Sequence, residues 1–147
     1  MGILNSFSLE GKVALVTGAS YGIGFAIASG FAEAGATIVF NDIKQELVDK
    51  GLAAYAEKGI QAHGYVCDVT NEEQVQQMVA RIQEEVGTID ILVNNAGIAR
   101  NNPAEEFTEE DWNYVIACNQ TALWFLSQAV GQYFLQNNVK GKIVNIA

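Results

Sequence analysis

The sequence predicts an α/β fold built on a doubly wound parallel sheet, with five strands in the order 3-2-1-4-5, and three observations carry that prediction. Short β-branched and apolar runs alternate with segments of helical periodicity, glycines stand at the junctions, and the first run leads straight into a glycine-rich turn, TGASYGIG, that opens a helix. Alternation of this kind makes parallel βαβ units. Their right-handed crossovers then place helices on both faces of one sheet.

Each element follows from local signals. Val13 to Val16 is the first strand, and Ile23, Ala26, Ile27, Phe31 and Ala34 then recur at helical spacing until Gly35 supplies a stop. Thr37 to Asn41 (TIVFN) is the second strand, followed by a helix marked by Leu47, Val48, Leu52 and Tyr55 and ended at Gly59. Gly51 in the middle of that helix is a weakness of about 1 kcal/mol. Ala62 to Cys67 reads as the third strand, and Thr70 with Glu73 three residues on reads as a capping box. The helix it opens has Val75, Met78, Val79, Ile82 and Val86 on its apolar face and ends before Gly87. Ile89 to Asn94 (IDILVN) is the fourth strand. A long loop, Gly97 to Phe107, holds the only proline, Pro103; Thr108 and Asp111 then start a helix expected to run to Asn137, and Lys142 to Ala147 is the fifth strand. No linker and no residue-level repeat interrupts the pattern, so residues 1–147 read as a single Rossmann-like domain.

Composition narrows the partners. The 147 residues are half apolar, enough for a sizeable core, and 17 Asp and Glu against 8 Lys and Arg give a net charge of -9, which disfavours nucleic acid. The longest apolar run is far short of the roughly 18 residues a membrane span needs, and MGILNSFSLEGK lacks the basic start and apolar core of a signal peptide. A soluble cytoplasmic protein with no membrane partner is expected. Cys67 and Cys118 have no partner at metal-ligand spacing; they read as reduced packing thiols, with no metal site.

The glycine turn suits one kind of ligand. Gly18, Gly22 and Gly24 allow a sharp turn, leave no Cβ between backbone and ligand, and let the helix start press against the strand. Free N–H groups and the positive dipole end at such a helix start suit a pyrophosphate, although any α/β protein also needs tight strand-to-helix loops. No Gly-Lys-Ser/Thr follows, which excludes a Walker phosphate loop. Asp42 stands 24 residues after Gly18, where a carboxylate accepts hydrogen bonds from a ribose diol, or caps the next helix. That favours NAD over NADP, because Tyr21 and Ile43, at the positions where a 2′-phosphate would want a cation, are not basic; Lys44 is the one cation nearby. Asp68 after the third strand and Asn94-Asn95-Ala96-Gly97 after the fourth open onto the same crevice. They read either as ligand contacts or as turn and bracing residues, with bracing weighing most for Asn94 and ligand contact around Gly97.

GKVALVTGASYGIG, Asp42, Cys67-Asp68-Val69, NNAG and Asn119 in CNQTALW, in this order and spacing, resemble the short-chain dehydrogenases/reductases over the whole chain. Within that family FNDI, HGYVCDVT and DWNYVIACNQTALWFLSQAV are most similar to gluconate 5-dehydrogenases, with 3-oxoacyl carrier-protein reductases close in pattern. The resemblance implies that Gly18, Gly22 and Gly24, with Ser20, Tyr21 and Ile23 between them, wrap the pyrophosphate and adenine ribose of a nicotinamide dinucleotide. It implies that Asp42 holds the adenosine ribose, that Asp68 and Val69 meet the adenine, and that Asn95, Ala96 and Gly97 pass beside the nicotinamide end. Asn119 matches the helix asparagine that holds a water in the family's proton relay; taken alone it reads as a buried polar residue bonded within its helix. Arg100 lies where substrate-side loops begin and suits the carboxylate of a sugar acid, or is an ordinary surface arginine.

The family also carries a Ser after the fifth strand and, later, a Tyr with a Lys four residues on, the acid/base and the group that lowers its pKa. Tyr21, Tyr55, Tyr65, Tyr114 and Tyr133 are followed at that distance by Phe25, Gly59, Val69, Cys118 and Asn137, so no such pair lies within these residues. A positioned acid/base is worth about 10²- to 10⁴-fold in rate. The expectation is therefore a truncated member, lacking the family's C-terminal strands and helices and inactive alone. Two functions compete. One is the cofactor-binding part of an NAD-dependent sugar-acid or keto-acid dehydrogenase, with a small-molecule substrate in its full-length form; the other is a non-catalytic dinucleotide-binding module or trimmed scaffold. The apolar fifth strand at the sheet edge and the apolar side of the long helix predict a homo-oligomer.

Overall fold

Five apolar runs become five parallel strands in a computed structural model that describes residues 2–147. They are β1 (Val13–Thr17), β2 (Thr37–Asp42), β3 (Ala62–Val66), β4 (Ile91–Asn94) and β5 (Lys142–Asn145), in the order β3-β2-β1-β4-β5 that the alternation predicts. Register is continuous through the centre: Leu15 of β1 lies between Val39 of β2 and Leu92 of β4. The helices are α1 (Gly22–Glu33), α2 (Gln45–Glu57), α3 (Glu72–Glu85), α4 (Glu109–Ile116) and α5 (Ala122–Gln136).

The alternation of side chains along each strand sorts them into two cores. Ala14, Val16, Ile38 and Phe40 face Ala28 of α1 with Val48 and Tyr55 of α2, whereas Leu15, Val39 and Leu92 face Val75, Val79 and Ile82 of α3 with Leu126 and Val130 of α5. Both faces are covered, which is why the strands read as unbroken apolar runs rather than as alternating ones. Among the described residues no helix is long and apolar enough to cross a membrane.

Four local expectations need correction. The cap of α3 is Asn71, whose Oδ1 accepts from Gln74 N at 3.0 Å; Thr70 is drawn backwards instead, its hydroxyl donating to Asp68 Oδ1 at 2.6 Å. The helix begun at Thr108 is capped as expected, with Thr108 Oγ1 accepting from Asp111 N at 3.0 Å, but a π-helical turn at Ala117–Thr121 separates α4 from α5. Strand ends shift by one or two residues: β2 includes Asp42, β3 stops at Val66, and β4 starts at Ile91, just beyond Asp90, whose carboxylate accepts from Val13 N at 2.9 Å. Gly51 is a packing site rather than a flaw in α2, because a Cβ there would lie 2.8 Å from Phe40 Cε2 and 3.0 Å from Ser20 Cα.

Candidate functional site

The carboxyl ends of β1, β2, β3 and β4 open onto one cleft of about 380 Å³, at the point where the connection from β1 turns to one face of the sheet and that from β3 to the other. Crevices at such a switch in strand order are where open α/β sheets hold ligands.

The glycine turn forms the floor of the cleft. Gly18 adopts φ +61° and Gly22 φ +67°, conformations a side chain disfavours, and a Cβ on Gly18 would sit 3.0 Å from Ala96 Cα. The turns after β1 and β4 can approach this closely only because Gly18 has no side chain. At Gly22 the space where a Cβ would project is open for 4 Å, and α1 begins there without any side-chain cap, leaving its first-turn amides to an outside acceptor. Tyr21 and Ile23 stand exposed at the rim. Gly24 and Ser20 do not line the cleft. Gly24 presses α1 onto its own turn, where a Cβ would fall 2.9 Å from Gly18 O, and Ser20 is buried with its Oγ unpartnered among the described residues. From behind, the buried Tyr55 hydroxyl donates to Ala19 O at 2.7 Å, and burial pushes its phenol well above the usual range, so it stays a donor.

Carboxylates stand on the β2 and β3 side. Asp42, the last residue of β2, lines the cleft half-buried, its Oδ1 accepting from Ile43 N at 2.8 Å. Asp68 lines it too and forms a turn, its Oδ1 accepting from Thr70 N at 2.9 Å, with Val69 beside it. Burial, with the charge of Asp68 adding to it, pushes the neighbouring Cys67 thiol up to about 12, and Cys118 across the cleft is also raised, chiefly by burial. Both thiols are buried and free.

The asparagines at the carboxyl end of β4, Asn94 within the strand and Asn95 just past it, are braces. Asn94 Nδ2 donates to Ser127 Oγ of α5 at 3.2 Å and to Asn145 Oδ1 of β5 at 3.0 Å. Asn95 Nδ2 donates to the carbonyls of Thr17 and Gly18, while Asn95 N and Ala96 N both donate to Thr17 Oγ1 at 3.0 and 2.9 Å. Asn95, Ala96 and Gly97 line the cleft as well.

Asn119 sits in the π-helical turn and reaches across to the loop after β4 instead of bonding within its helix. Its Oδ1 accepts from Ile98 N at 2.8 Å, and its Nδ2 donates to Ile98 O at 2.9 Å. It borders a small adjoining cavity of about 20 Å³, room for about one water, together with Val69 and Ala96. Arg100 lines neither cavity. Its Nε lies 3.5 Å from Asp111 Oδ1 in an exposed pair, and its guanidinium stacks 5.3 Å from the centre of the Tyr114 ring, which itself faces the cleft.

Several lining or supporting residues escape a reading of the sequence: Thr17, Asn41, Leu47, Tyr114 and Ser127. Thr17 and Asn41 carried a usable signal, a polar residue ending an apolar strand. Tyr114 and Leu47 carried none, since both sit at ordinary helical positions. Among the described residues no cluster of His, Cys, Asp and Glu could hold a metal ion.

The cleft fits a dinucleotide's phosphates and ribose on the structure's own terms: uncapped amides at Gly22, open space above that glycine, and a carboxylate on the adjacent strand end. The family model for short chain dehydrogenase matches residues 12–147. The chain is 44% identical over 140 residues to the 5-keto-D-gluconate 5-reductase of Escherichia coli strain K12, covering 95% of this chain and 55% of the relative. It is similar to the crystal structure of 2-keto-3-deoxy-D-gluconate dehydrogenase from Streptococcus agalactiae, with 58% identity, a TM-score of 0.88, and coverage of 99% of this chain and 54% of that one. It is also similar to a gluconate 5-dehydrogenase from Burkholderia cenocepacia J2315 in complex with NADP and tartrate, with 38% identity, a TM-score of 0.91, and coverage of 99% and 57%. The chain thus spans little more than half the length of these relatives. With a family match running from the first strand to the last and the family's strand order in the sheet, the chain belongs to the short-chain dehydrogenase family.

Proposed function

We propose that this chain binds a nicotinamide dinucleotide, NAD in preference to NADP, as part of an oxidoreductase acting on a secondary alcohol or ketone of a sugar acid of the gluconate class. The observation that carries the reading is that the glycine turn and Asp42 face one cleft from adjacent strand ends. The first-turn amides at Gly22 and Ile23 receive the pyrophosphate, with Gly18 and Gly24 allowing the close approach, Tyr21 flanking it at the rim, and the buried Ser20 supporting the turn from behind. Asp42 accepts from the adenosine ribose, Asp68 and Val69 border the adenine, and Asn95, Ala96 and Gly97 border the nicotinamide side. Asn119 holds the loop there and a water for proton transfer. When bound, the nicotinamide supplies or takes up the hydride.

The substrate class rests on relatives whose names specify gluconate or its keto and deoxy derivatives. Arg100 is the candidate partner for a substrate carboxylate, which requires it to exchange its exposed pairing with Asp111 for the ligand. One feature favours a binding role for these residues by themselves: they include no Tyr with a Lys four positions on.

Calorimetry on the folded 147-residue chain tests the reading. NAD should bind more tightly than NADP, and Asp42→Ala should weaken NAD by roughly tenfold or more, since hydrogen bonds to a charged group are among the stronger ones. No turnover of NAD with gluconate is expected. An absence of heat with NAD, or an Asp42→Ala variant that binds as the parent does, would overturn the proposal.

A further inference from the structure

We infer that Asn41 is a positioning residue that sets the geometry of the adenosine half of the cleft, an inference that rests on the dinucleotide reading above. Asn41 is the penultimate residue of β2, next to Asp42, and stands between Thr17 of β1 and Tyr65 of β3. It is 1% exposed and follows the buried apolar run Ile38, Val39 and Phe40 in its strand. A polar side chain so placed is unfavourable unless its donors and acceptors are bonded.

Asn41 is bonded in two opposite directions. Its Oδ1 accepts from Gly18 N at 3.3 Å, the first amide of the glycine turn, and its Nδ2 donates to Cys67 O at 3.1 Å, at the exit of β3. Its backbone carbonyl accepts from Ala19 N at 3.3 Å. One residue therefore holds the turn after β1 and the chain leaving β3 on either side of the strand that carries Asp42.

The ligand consequence follows from what lies just beyond each anchor. On one side, two successive amides, Gly18 and Ala19, are drawn to β2, which fixes how far the turn stands from Asp42. On the other, the held Cys67 carbonyl is followed directly by Asp68 and Val69, which form the facing wall. A ligand that spans both walls needs their separation held to roughly half an ångström. Asparagine suits the position because a carboxamide offers an acceptor and a donor at once. Alanine offers neither, and serine is too short to span both partners.

The test measures ADP-ribose binding by calorimetry on the parent chain, Asn41→Ala, Asn41→Ser and Val79→Ala. Val79, on α3, is buried in the opposite core and serves as a control for lost stability. Hydrogen exchange of the Gly18 amide is followed by NMR in the same samples. Asn41→Ala and Asn41→Ser should each weaken ADP-ribose by roughly tenfold, the loss of one to two hydrogen bonds' worth of alignment, while Val79→Ala loses stability and keeps parental affinity. The Gly18 amide should be protected in the parent and in Val79→Ala and exchange freely in Asn41→Ala. If Asn41→Ala does not fold, Asn41→Ser decides the matter alone. A folded Asn41 variant that binds within twofold of the parent, or a Val79→Ala loss equal to that of the Asn41 variants, overturns the inference and leaves the dinucleotide reading standing. A parent chain that does not bind ADP-ribose overturns both.

Discussion

Replacing Gly51 by Ala sets two effects of known size against each other. Removing a glycine from a helix interior gains about 1 kcal/mol, so α2 taken alone should be stabilised. The structure puts the new Cβ 2.8 Å from Phe40 Cε2, 3.0 Å from Phe40 Cζ and 3.0 Å from Ser20 Cα. Those neighbours cannot give way cheaply. Phe40 is fully buried, its ring lies 5.1 Å from that of Tyr55, and its Cζ also fills the space beside Gly64, where a Cβ would come within 3.0 Å. Ser20 Cα is backbone in the glycine turn, and the residue before it is held by the Tyr55 hydroxyl.

Overpacking of this kind costs about 1–3 kcal/mol, which exceeds the helical gain. Gly51→Ala should therefore be destabilised by about 1 kcal/mol net, a fall in melting temperature of roughly 2–4 °C for a chain of this size. Gly30 is the internal control. It is exposed in α1 with nothing within 4 Å of its Cβ position, so Gly30→Ala should gain about 0.5–1 kcal/mol. Urea and thermal unfolding of the two variants beside the parent measure both signs. A Gly51→Ala protein as stable as the parent, or more so, would show that the fit around Phe40 is looser than described.

Other outcomes follow from the same geometry. Asn71→Ala should lower stability by about 1 kcal/mol by removing the α3 cap, read as a shift in urea midpoint; no shift would mean the cap bond contributes nothing. Burial holds the Cys67 thiol protonated to about pH 12, whereas an unfolded thiol loses its proton near 8.5. The unfolded chain then binds fewer protons above that pH, so this contribution is whole below about 8.5 and declines as pH rises toward 12. Cys67→Val should flatten the fall in urea midpoint between pH 8 and 10, and parallel slopes would refute the assignment. Trp112 and Trp124 stand about 60% exposed on α4 and α5, and β5 leaves Ile143 and Val144 partly open at the sheet edge, so light scattering should find self-association. A clean monomer at high concentration would contradict that.

What the sequence disclosed, and what it withheld, follows the range over which each signal acts. The strand order was legible because crossover handedness leaves few ways to wind alternating strands and helices, and Gly18, Gly22 and Asp42 were legible because their roles depend on the residue type at a strand end. The π-helical turn was not, since an i to i+5 step inside a helix leaves the apolar pattern around Trp112 to Leu126 readable as one continuous helix. The α3 cap failed for a local reason with a distant cause. Both Thr70 and Asn71 suit a cap, and the choice fell to Asn71 because Asp68, placed by the end of β3, takes the Thr70 hydroxyl. The clamps around the cleft lay furthest out of reach: Asn41 meets partners 23 and 26 residues away, and Asn95 meets Thr17 across 78. Yet Asn41 and Thr17 share a visible mark, a polar side chain at the carboxyl end of a run that is otherwise apolar. In a sheet covered on both faces such a residue has little solvent to turn to, so it must bond to the backbone of the neighbouring strand ends, which are the walls of the ligand crevice.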